Sequence, residues 1–162
     1  MYTSRIALLT LAALIAGCSR SATYVTPDGK VVVQQGSKPG QGQVTYSGKD
    51  GKVTIDASGT KLPDDYPKDV PVASNAKIVM ASTVNNAQGQ GSNLTLESTD
   101  SAENLIAFYK KGLADNGWTI NTTATYGAVN MIGASKDKRE AAIQVMEADG
   151  KRMVTQIVGT KN

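Results

Sequence analysis

The sequence predicts an α+β fold, in which a mainly antiparallel sheet is packed by one helix in the order β-β-α-β-β-β-β. Three observations favour this class. Short runs of alternating apolar and polar residues recur along the chain, and turn residues such as Asp-Gly separate them. One stretch, residues 102–113, carries apolar residues at helical spacing. Because a lone amphipathic helix must bury its apolar stripe, we expect it to pack on the sheet within one domain, residues 77–162.

The first 17 residues have the features of a signal peptide. Arg5 precedes an uncharged apolar run over residues 6–17, as in the n-region and h-region of a secretory signal. A helix of that length spans about 18 Å, which is short of the roughly 30 Å hydrocarbon core of a bilayer. We therefore expect residues 1–17 to be removed on export rather than to remain as a transmembrane anchor.

Cys18 directly follows this apolar run and is the only cysteine of the chain. The sequence Ile15-Ala16-Gly17-Cys18 resembles the lipobox of bacterial lipoproteins. The resemblance implies that Cys18 becomes the first mature residue, carries diacylglycerol and an acyl chain such as palmitate, and anchors the protein to a membrane. Ser19 then favours the outer membrane, with the protein in the periplasm or at the cell surface of the bacterial envelope. Residues 18–22 form the expected tether. An ordinary cleaved signal peptide is the alternative.

Composition excludes several function classes. Lysine and arginine number 17 against 14 for aspartate and glutamate, a formal charge of +3, so no nucleic-acid partner is expected. The chain has no histidine and a single cysteine, which excludes Ser-His and Cys-His catalysis and zinc sites built on these ligands. No cofactor is predicted. An enzyme of this composition would have to use carboxylates, lysine, tyrosine or serine.

Residues 23–61 contain a short repeat with hairpin character. Asp-Gly-Lys-Val occurs at Asp28 and again at Asp50, flanked by β-branched runs, and Asp-Gly is a strong hairpin signal. We expect strands near residues 24–26, 30–34, 43–47 and 52–56. The Gly-, Gln- and Pro-rich stretch between the two copies leaves open whether the hairpins move independently or are partly disordered.

Residues 62–76 carry Pro63, Pro67 and Pro71, which disfavour a regular helix. They form either a semi-rigid linker or a strap laid across a domain. The phrase from Leu62 to Pro71 resembles the entry to a small α+β domain that recurs in bacterial lipoproteins, and the similarity continues loosely to the Gly-Trp at Trp118. It implies a fold and a tethered location, but no activity and no functional residues.

The domain that follows has a clear order of elements. Strands are expected at residues 77–83 and 93–99, then a helix whose capping box runs from Asp100 to Glu103 and whose stop is Asn116-Gly117. Four further strands are expected at residues 118–125, 128–135, 141–147 and 152–159. The predicted core consists of Ile78, Met80, Leu94, Leu96, Leu105, Ile106, Tyr109, Leu113, Trp118, Ile120, Ile143, Val145, Val154 and Ile157.

Candidate site residues are few. Tyr66 and Tyr126 are weak candidates for an exposed ligand-binding surface, since tyrosine rings can stack on sugars. The carboxylates of Asp64, Asp65 and Asp69 could in principle hold a cation, but their spacing does not match the calcium loop and a solvated loop is favoured. No catalytic, cofactor-binding or metal-binding residue is predicted.

These observations predict a membrane-anchored lipoprotein of the bacterial envelope that acts as a non-catalytic binding or structural module. Its partners are the membrane, through lipid on Cys18, and an envelope polymer or protein. Two alternatives stay open: a small hydrolase of envelope polymers that uses carboxylates, and an assembly partner that pairs an exposed edge strand with another chain. The sequence leaves the oligomeric state open.

Overall fold

The computed structural model describes residues 21–59 and 61–160, which form one ten-stranded antiparallel sheet with one helix packed on it. This confirms the predicted α+β class. The elements are β1 Ser21–Thr26, β2 Gly29–Gln35, β3 Gly42–Gly48, β4 Gly51–Asp56, β5 Lys77–Asn86, β6 Gly89–Ser98, α1 Ala102–Asp115, β7 Thr119–Tyr126, β8 Val129–Lys136, β9 Arg139–Ala148 and β10 Lys151–Thr160.

The sheet consists of two meanders that join at its centre. Its strand order is β1-β2-β3-β4-β5-β6-β10-β9-β8-β7, so consecutive strands are neighbours everywhere except where β6 pairs with β10. The helix α1 carries the chain from β6 at the centre to β7 at the far edge, and it contacts β7, β8 and β9. The predicted order from β5 onward, two strands, a helix and four strands, is confirmed.

The hairpin repeat belongs to the same sheet as the rest of the chain. Strand β4 pairs with β5 from Gly51 opposite Asn86 to Asp56 opposite Ala81. The backbone hydrogen bonds between β4 and β5 join residues 23–61 to residues 77–162, which the sequence predicts as separate units. Strand β1 begins at Ser21, so the last two residues of the expected tether lie within the sheet.

The helix begins one residue later than the sequence predicts. Ser101, not Asp100, is the N-cap, because its hydroxyl accepts a hydrogen bond from the backbone N–H of Asn104 at 3.2 Å. The N–H of Asp100 donates instead to the Ser98 hydroxyl at 3.1 Å. The helix ends as expected, since Gly117 takes the left-handed conformation with φ at +79°.

The apolar stripe of α1 packs against the sheet and forms the centre of the core. Leu105, Tyr109 and Leu113 are completely or almost completely buried. The predicted core residues Met80 and Ile157 are instead 39% and 46% exposed. Ile157 alternates with buried neighbours and so points to the other face, and a bulge between Ile78 and Met80 shifts Met80 to that face as well.

Residues 61–76, here called the strap, lie across the sheet beside α1. Tyr66, Val70 and Ala73 are buried in the main core cluster, so the segment is a strap rather than a linker. The indole N–H of Trp118 donates to the carbonyl of Asp69 at 3.0 Å and ties the strap to the end of the helix. The proline-rich segment therefore supplies part of the core.

The sheet thus has a covered face, which carries α1 and the strap, and an open face. Partners in the antiparallel register lie on the same face. Thr54 and Thr83 are opposite each other and lie on the covered face, whereas Ile55 and Ser82 lie on the open face. No helix or strap segment among residues 21–59 and 61–160 packs on the open face.

Candidate binding site

The predicted lipidation residue, Cys18, lies outside the described residues, and so does the predicted signal peptide. In the part of the chain that is described, no helix is long and apolar enough to cross a membrane. The first described residue, Ser21, starts β1 three positions after Cys18. Any lipid on Cys18 would therefore be joined to the sheet by a very short segment.

The two tyrosines predicted as surface candidates lie in different environments. Tyr66 is only 5% exposed, so its predicted surface position is wrong: the strap presses its ring into the core, and its hydroxyl donates to Gln156 Oε1 at 2.7 Å. Tyr126 is 71% exposed at the end of β7. The structure does not bring the two side chains together.

A groove of about 460 Å³ runs between α1 and strands β7 and β8. The helix buries Leu105 and Tyr109 beneath it, but the adjoining helix side, with Ile106 and Lys110, faces the groove. We call this the helix groove. Its lining consists of Ala102, Glu103, Ile106, Ala107, Lys110, Thr123, Ala124, Thr125 and Asn130.

The helix groove combines an apolar wall with a polar rim. Ile106 and Ala107 supply methyl and methylene surface, and the charged groups of Glu103 and Lys110 lie on the same helix. On the strand side, the Thr125 hydroxyl donates to Asn130 Oδ1 at 2.8 Å. Such an arrangement suits a molecule with one apolar part and one polar or charged part.

A second groove, also of about 460 Å³, lies on the covered face between the strap and strands β2–β4. We call it the polar groove, because glutamine, threonine, lysine and aspartate side chains predominate in its lining. The Thr54 hydroxyl there is buried and has no hydrogen-bond partner. The lining consists of Gln34, Gln35, Gly36, Gly42, Gln43, Thr45, Lys52, Thr54, Asp56, Ser58, Lys61, Pro63, Asp64 and Asp65.

Three carboxylates line the polar groove, but two of them are engaged by protein donors. Asp56 is buried and accepts from Gln43 Nε2 at 2.8 Å and from the backbone N–H of Ser58 at 2.7 Å. Asp65 accepts from the Thr83 hydroxyl at 2.9 Å. These contacts hold the Asp56 and Asp65 side chains in fixed positions.

Asp69 in the strap is the centre of an ion cluster rather than a cation ligand. Its carboxylate accepts from Arg139 Nη1 at 2.9 Å and from Lys136 Nζ at 2.8 Å. The Arg139 guanidinium, followed by Lys136, holds the pKa of Asp69 well below its usual range. Arg139 also lies 4.9 Å from the centroid of the Trp118 ring. Within the described ranges, no group of three acidic, histidine or cysteine side chains is placed to hold a metal ion.

Strand β1 presents an exposed sheet edge. All six of its residues are exposed, none is charged and none is proline. The opposite edge, β7, is interrupted by a bulge between Ile120 and Thr122. An unprotected edge can pair with another strand, so β1 is the element that the edge-pairing alternative would use.

Sequence reasoning did not find either groove. The helical spacing predicts Ile106 in the core, whereas the side chain is half-buried and lines the groove. The groove exists because of the distance between α1 and β7, which the sequence does not give. The polar groove does have a signal in the sequence, because Thr45 and Thr54 alternate with apolar residues in the hairpin repeat. That alternation indicates a polar face, but only the strand register brings their side chains onto the same groove.

Comparison with known proteins gives one similarity. A family model described as START domain-like matches residues 78–151, which is less than half of the chain. The match runs from β5 to the first residue of β10 and includes α1 and every residue that lines the helix groove. Among curated proteins and solved structures, no match is found. The similarity to the START domain-like family suggests a small ligand-binding module.

Proposed function

We propose that the protein is a non-catalytic module that binds a small ligand in the helix groove and is held at a bacterial membrane by lipid on Cys18. The observation that carries the binding role is the coincidence of the family similarity with the groove. All residues that line the helix groove fall within residues 78–151, the range of the family similarity. All residues that line the polar groove lie outside that range.

The lining of the helix groove favours an amphipathic ligand with an anionic group. Ile106 and Ala107 offer an apolar contact surface, and each buried methylene contributes about 0.8 kcal/mol. Lys110 supplies a cation that is half-buried beside this surface. An anionic head would pair with Lys110, two helical turns from the carboxylate of Glu103, while Thr123 and Thr125 offer hydroxyls along the opposite wall.

A fluorescent amphiphile tests this site directly. Anilinonaphthalene sulfonate has apolar rings and an anionic sulfonate, and we expect it to bind the wild-type protein with enhanced fluorescence. Ala107→Trp fills the groove and should weaken binding at least tenfold. Ala114→Trp places the same ring on an exposed helix position outside the groove and should leave binding unchanged. Equal binding by both variants would contradict the helix groove as the site.

The anchor is supported by the Ile15-Ala16-Gly17-Cys18 sequence and by its position just before β1. Acylation with two or more chains holds a protein stably at a membrane, whereas a single chain does not. Palmitate labelling of cells that produce the wild type or Cys18→Ser tests this. We expect label in the wild type alone. Absence of label from both proteins would overturn the anchor, and Ser19 makes the outer membrane the expected location.

A second candidate function, hydrolysis of an envelope polymer, is favoured by one observation. Asp56, Asp64 and Asp65 line the same concave surface, and glycoside hydrolysis requires two carboxyl groups on either side of the bond. The test is release of reducing ends from peptidoglycan by the wild type, Asp56→Asn and Asp65→Asn. Activity that both substitutions abolish would support hydrolysis. Wild-type protein without activity would exclude it on this substrate.

A further inference from the structure

In strands β1–β4 the covered face carries mainly polar side chains and the open face mainly apolar ones, which is the reverse of the usual arrangement. Their covered-face side chains include Lys30, Thr45, Lys52, Thr54 and Asp56. This is the face that continues the core of the protein beneath α1 and the strap. A sheet normally turns its apolar side chains toward the core, so the polar residues here mean that β1–β4 bury little on that side beyond the strap.

Most of the apolar side chains of these strands are on the open face instead; Val25 and Val32 are the exceptions, on the covered face. The antiparallel register places them in rows that cross the strands, and no open-face position within β1–β4 is charged. Several are well exposed, with 41% of Val44, 46% of Ile55 and 51% of Tyr24 accessible to solvent. The largest members of this set are Tyr24, Val31, Val33, Val44, Tyr46, Val53 and Ile55.

The size of this surface is that of a patch that often has a function. Five strands, β1–β5, at about 4.8 Å spacing and about six residues at 3.4 Å each give roughly 500 Å². The largest apolar patch of a typical monomer is about 300–600 Å² and often functional. Because Val84 of β5 is also exposed on this face, the patch continues beyond the hairpin repeat.

The short distance along the chain between Cys18 and β1 points to the membrane as the partner. Ser21 is three residues from Cys18, and three extended residues reach at most about 10 Å. A lipid on Cys18 would therefore hold the edge of this uncharged face at the bilayer surface. Proximity therefore favours the lipid surface.

We propose that the open face of β1–β4 lies against the headgroup and upper acyl region of the membrane that carries the anchor. The inference rests on the proposed lipid at Cys18. Tyr24 and Tyr46 suit this depth, because tyrosine combines an apolar ring with a polar hydroxyl and is enriched at membrane interfaces. The hydroxyl of Tyr46 donates to the Asp28 carbonyl at 3.2 Å, which directs its polar end to a turn at the rim. In this orientation the covered face, with the polar groove, faces away from the bilayer.

Single cysteines make the orientation measurable. The acylated protein has no free thiol other than the one introduced, so Val44→Cys and Ile55→Cys can be labelled with a nitrobenzoxadiazole fluorophore. The matched controls are Gln34→Cys on β2 and Ser47→Cys on β3, which are exposed on the covered face of the same group of strands. Each protein is reconstituted in vesicles of phosphatidylethanolamine and phosphatidylglycerol with doxyl-labelled lipid. We expect at least half of the fluorescence at 44 and 55 to be quenched, and little at 34 and 47.

The outcomes separate this inference from the proposed function. Vesicle flotation without selective quenching would overturn the orientation and leave the anchor intact. A blue-shifted emission at 44 and 55 without lipid quenching would overturn it in favour of a second copy on this face. Failure of the acylated preparation to float with vesicles would contradict both the anchor and the orientation.

A charged substitution provides an independent variant. With the fluorophore at residue 44, Ile55→Asp should reduce quenching at least twofold, because a carboxylate must leave the apolar boundary. Gln34→Asp, on the covered face, should not change it. Ile55 is exposed, so the folded state should tolerate the change, and circular dichroism checks this. Equal quenching in both variants would overturn the proposal.

Discussion

At the scale of single residues, a buried chain of hydrogen bonds joins the strap, the sheet and the helix. Tyr66 donates to Gln156 Oε1 at 2.7 Å, and Gln156 Nε2 donates to the Tyr109 hydroxyl at 3.0 Å. Burial raises the pKa of Tyr109 to about 12 and that of Tyr66 well above its usual value. Both rings therefore stay neutral at physiological pH, and Gln156 is satisfied although it is completely buried.

Removing one hydroxyl from this chain should destabilise the fold. Tyr66→Phe keeps the ring but leaves the Gln156 oxygen buried without its donor, which costs about 1–3 kcal/mol. The measurement is the free energy of unfolding in urea. Tyr126→Phe removes an exposed hydroxyl and should change stability by less than about 0.5 kcal/mol. Equal free energies of unfolding for the two variants would show that the buried hydrogen bonds contribute nothing to stability.

The Asp69 cluster should make the stability depend on acid pH. Because the folded pKa of Asp69 lies below its ordinary value of 3.8, the cluster contributes fully above that pH. The contribution is then lost as the pH falls through the folded pKa. Asp69→Asn should lower the free energy of unfolding at pH 7 by about 1–2 kcal/mol. Below pH 4, the free energy of unfolding should decrease less in this variant than in the wild type.

The control for this prediction is Asp64→Asn in the same strap. The Asp64 side chain is 99% exposed and lies 3.9 Å from Lys61, so its pair should contribute almost nothing. Acid unfolding curves of the three proteins compare the two sites. A wild-type curve that coincides with that of Asp69→Asn at every pH would contradict the assigned role of the cluster.

Residue-level prediction from the sequence succeeded where one pattern decided the environment. Leu94 and Leu96 alternate with polar neighbours, and both are completely buried as predicted. It failed for Tyr66, because a residue in a proline-rich segment has no periodicity to show its orientation. Only the path of the strap across the sheet places that ring in the core.

At the scale of elements, the strap and the helix are in unusually close contact. A Cβ at Gly112 of α1 would lie 2.8 Å from Cβ of Pro71 in the strap. Glycine is unfavourable within a helix by about 1 kcal/mol relative to alanine. Its presence at this position is explained by the proline ring, which leaves no room for a methyl group.

Gly112→Ala should therefore lower stability, although alanine is the better helix former. We expect a loss of about 1–3 kcal/mol from overpacking. Combining it with Pro71→Gly removes the clashing atom, so the effect of Gly112→Ala should become favourable in that background. Thermal or urea unfolding of the four proteins gives the double-mutant cycle. A stabilising Gly112→Ala in the wild-type background would contradict the close contact.

Most elements of the fold could be predicted from local sequence. Asp149 and Gly150 both take positive φ in the turn between β9 and β10, as the Asp-Gly signal requires. The pairing of β4 with β5 could not be predicted, because the strap separates them and no turn signal links them. The joining of β6 to β10 likewise depends on packing under the helix rather than on any local pattern.

At the scale of the whole molecule, burial falls steadily from the centre of the sheet to the β1 edge. Leu96 of β6, Val145 of β9 and Val154 of β10 are completely buried, whereas every residue of β1 is exposed. Amide hydrogen exchange should follow this order, with the slowest exchange in β6, β9 and β10 and the fastest in β1 and β2. Uniform protection across the ten strands would show that the sheet opens only as one unit.

The candidate binding site was the part least accessible to sequence reasoning. The helix groove needs the spacing between Ile106 on α1 and Thr123 on β7, and the open face needs the register of five strands. Valines and tyrosines in the hairpin repeat were visible in the sequence, but alternation alone does not say which of two faces a helix covers. The chemistry of each surface was therefore readable only after the register was known.

The position of β10 between β6 and β9 has a consequence for synthesis. Of the ten described strands, β10 leaves the ribosome last, yet it fills the middle of the sheet. Until it arrives, β6 and β9 each expose a long unpaired border of Val-, Leu- and Ile-bearing strand, a situation that invites wrong pairing. The nascent chain therefore depends on β10 to close the sheet, and a holding chaperone would be most useful before this strand emerges.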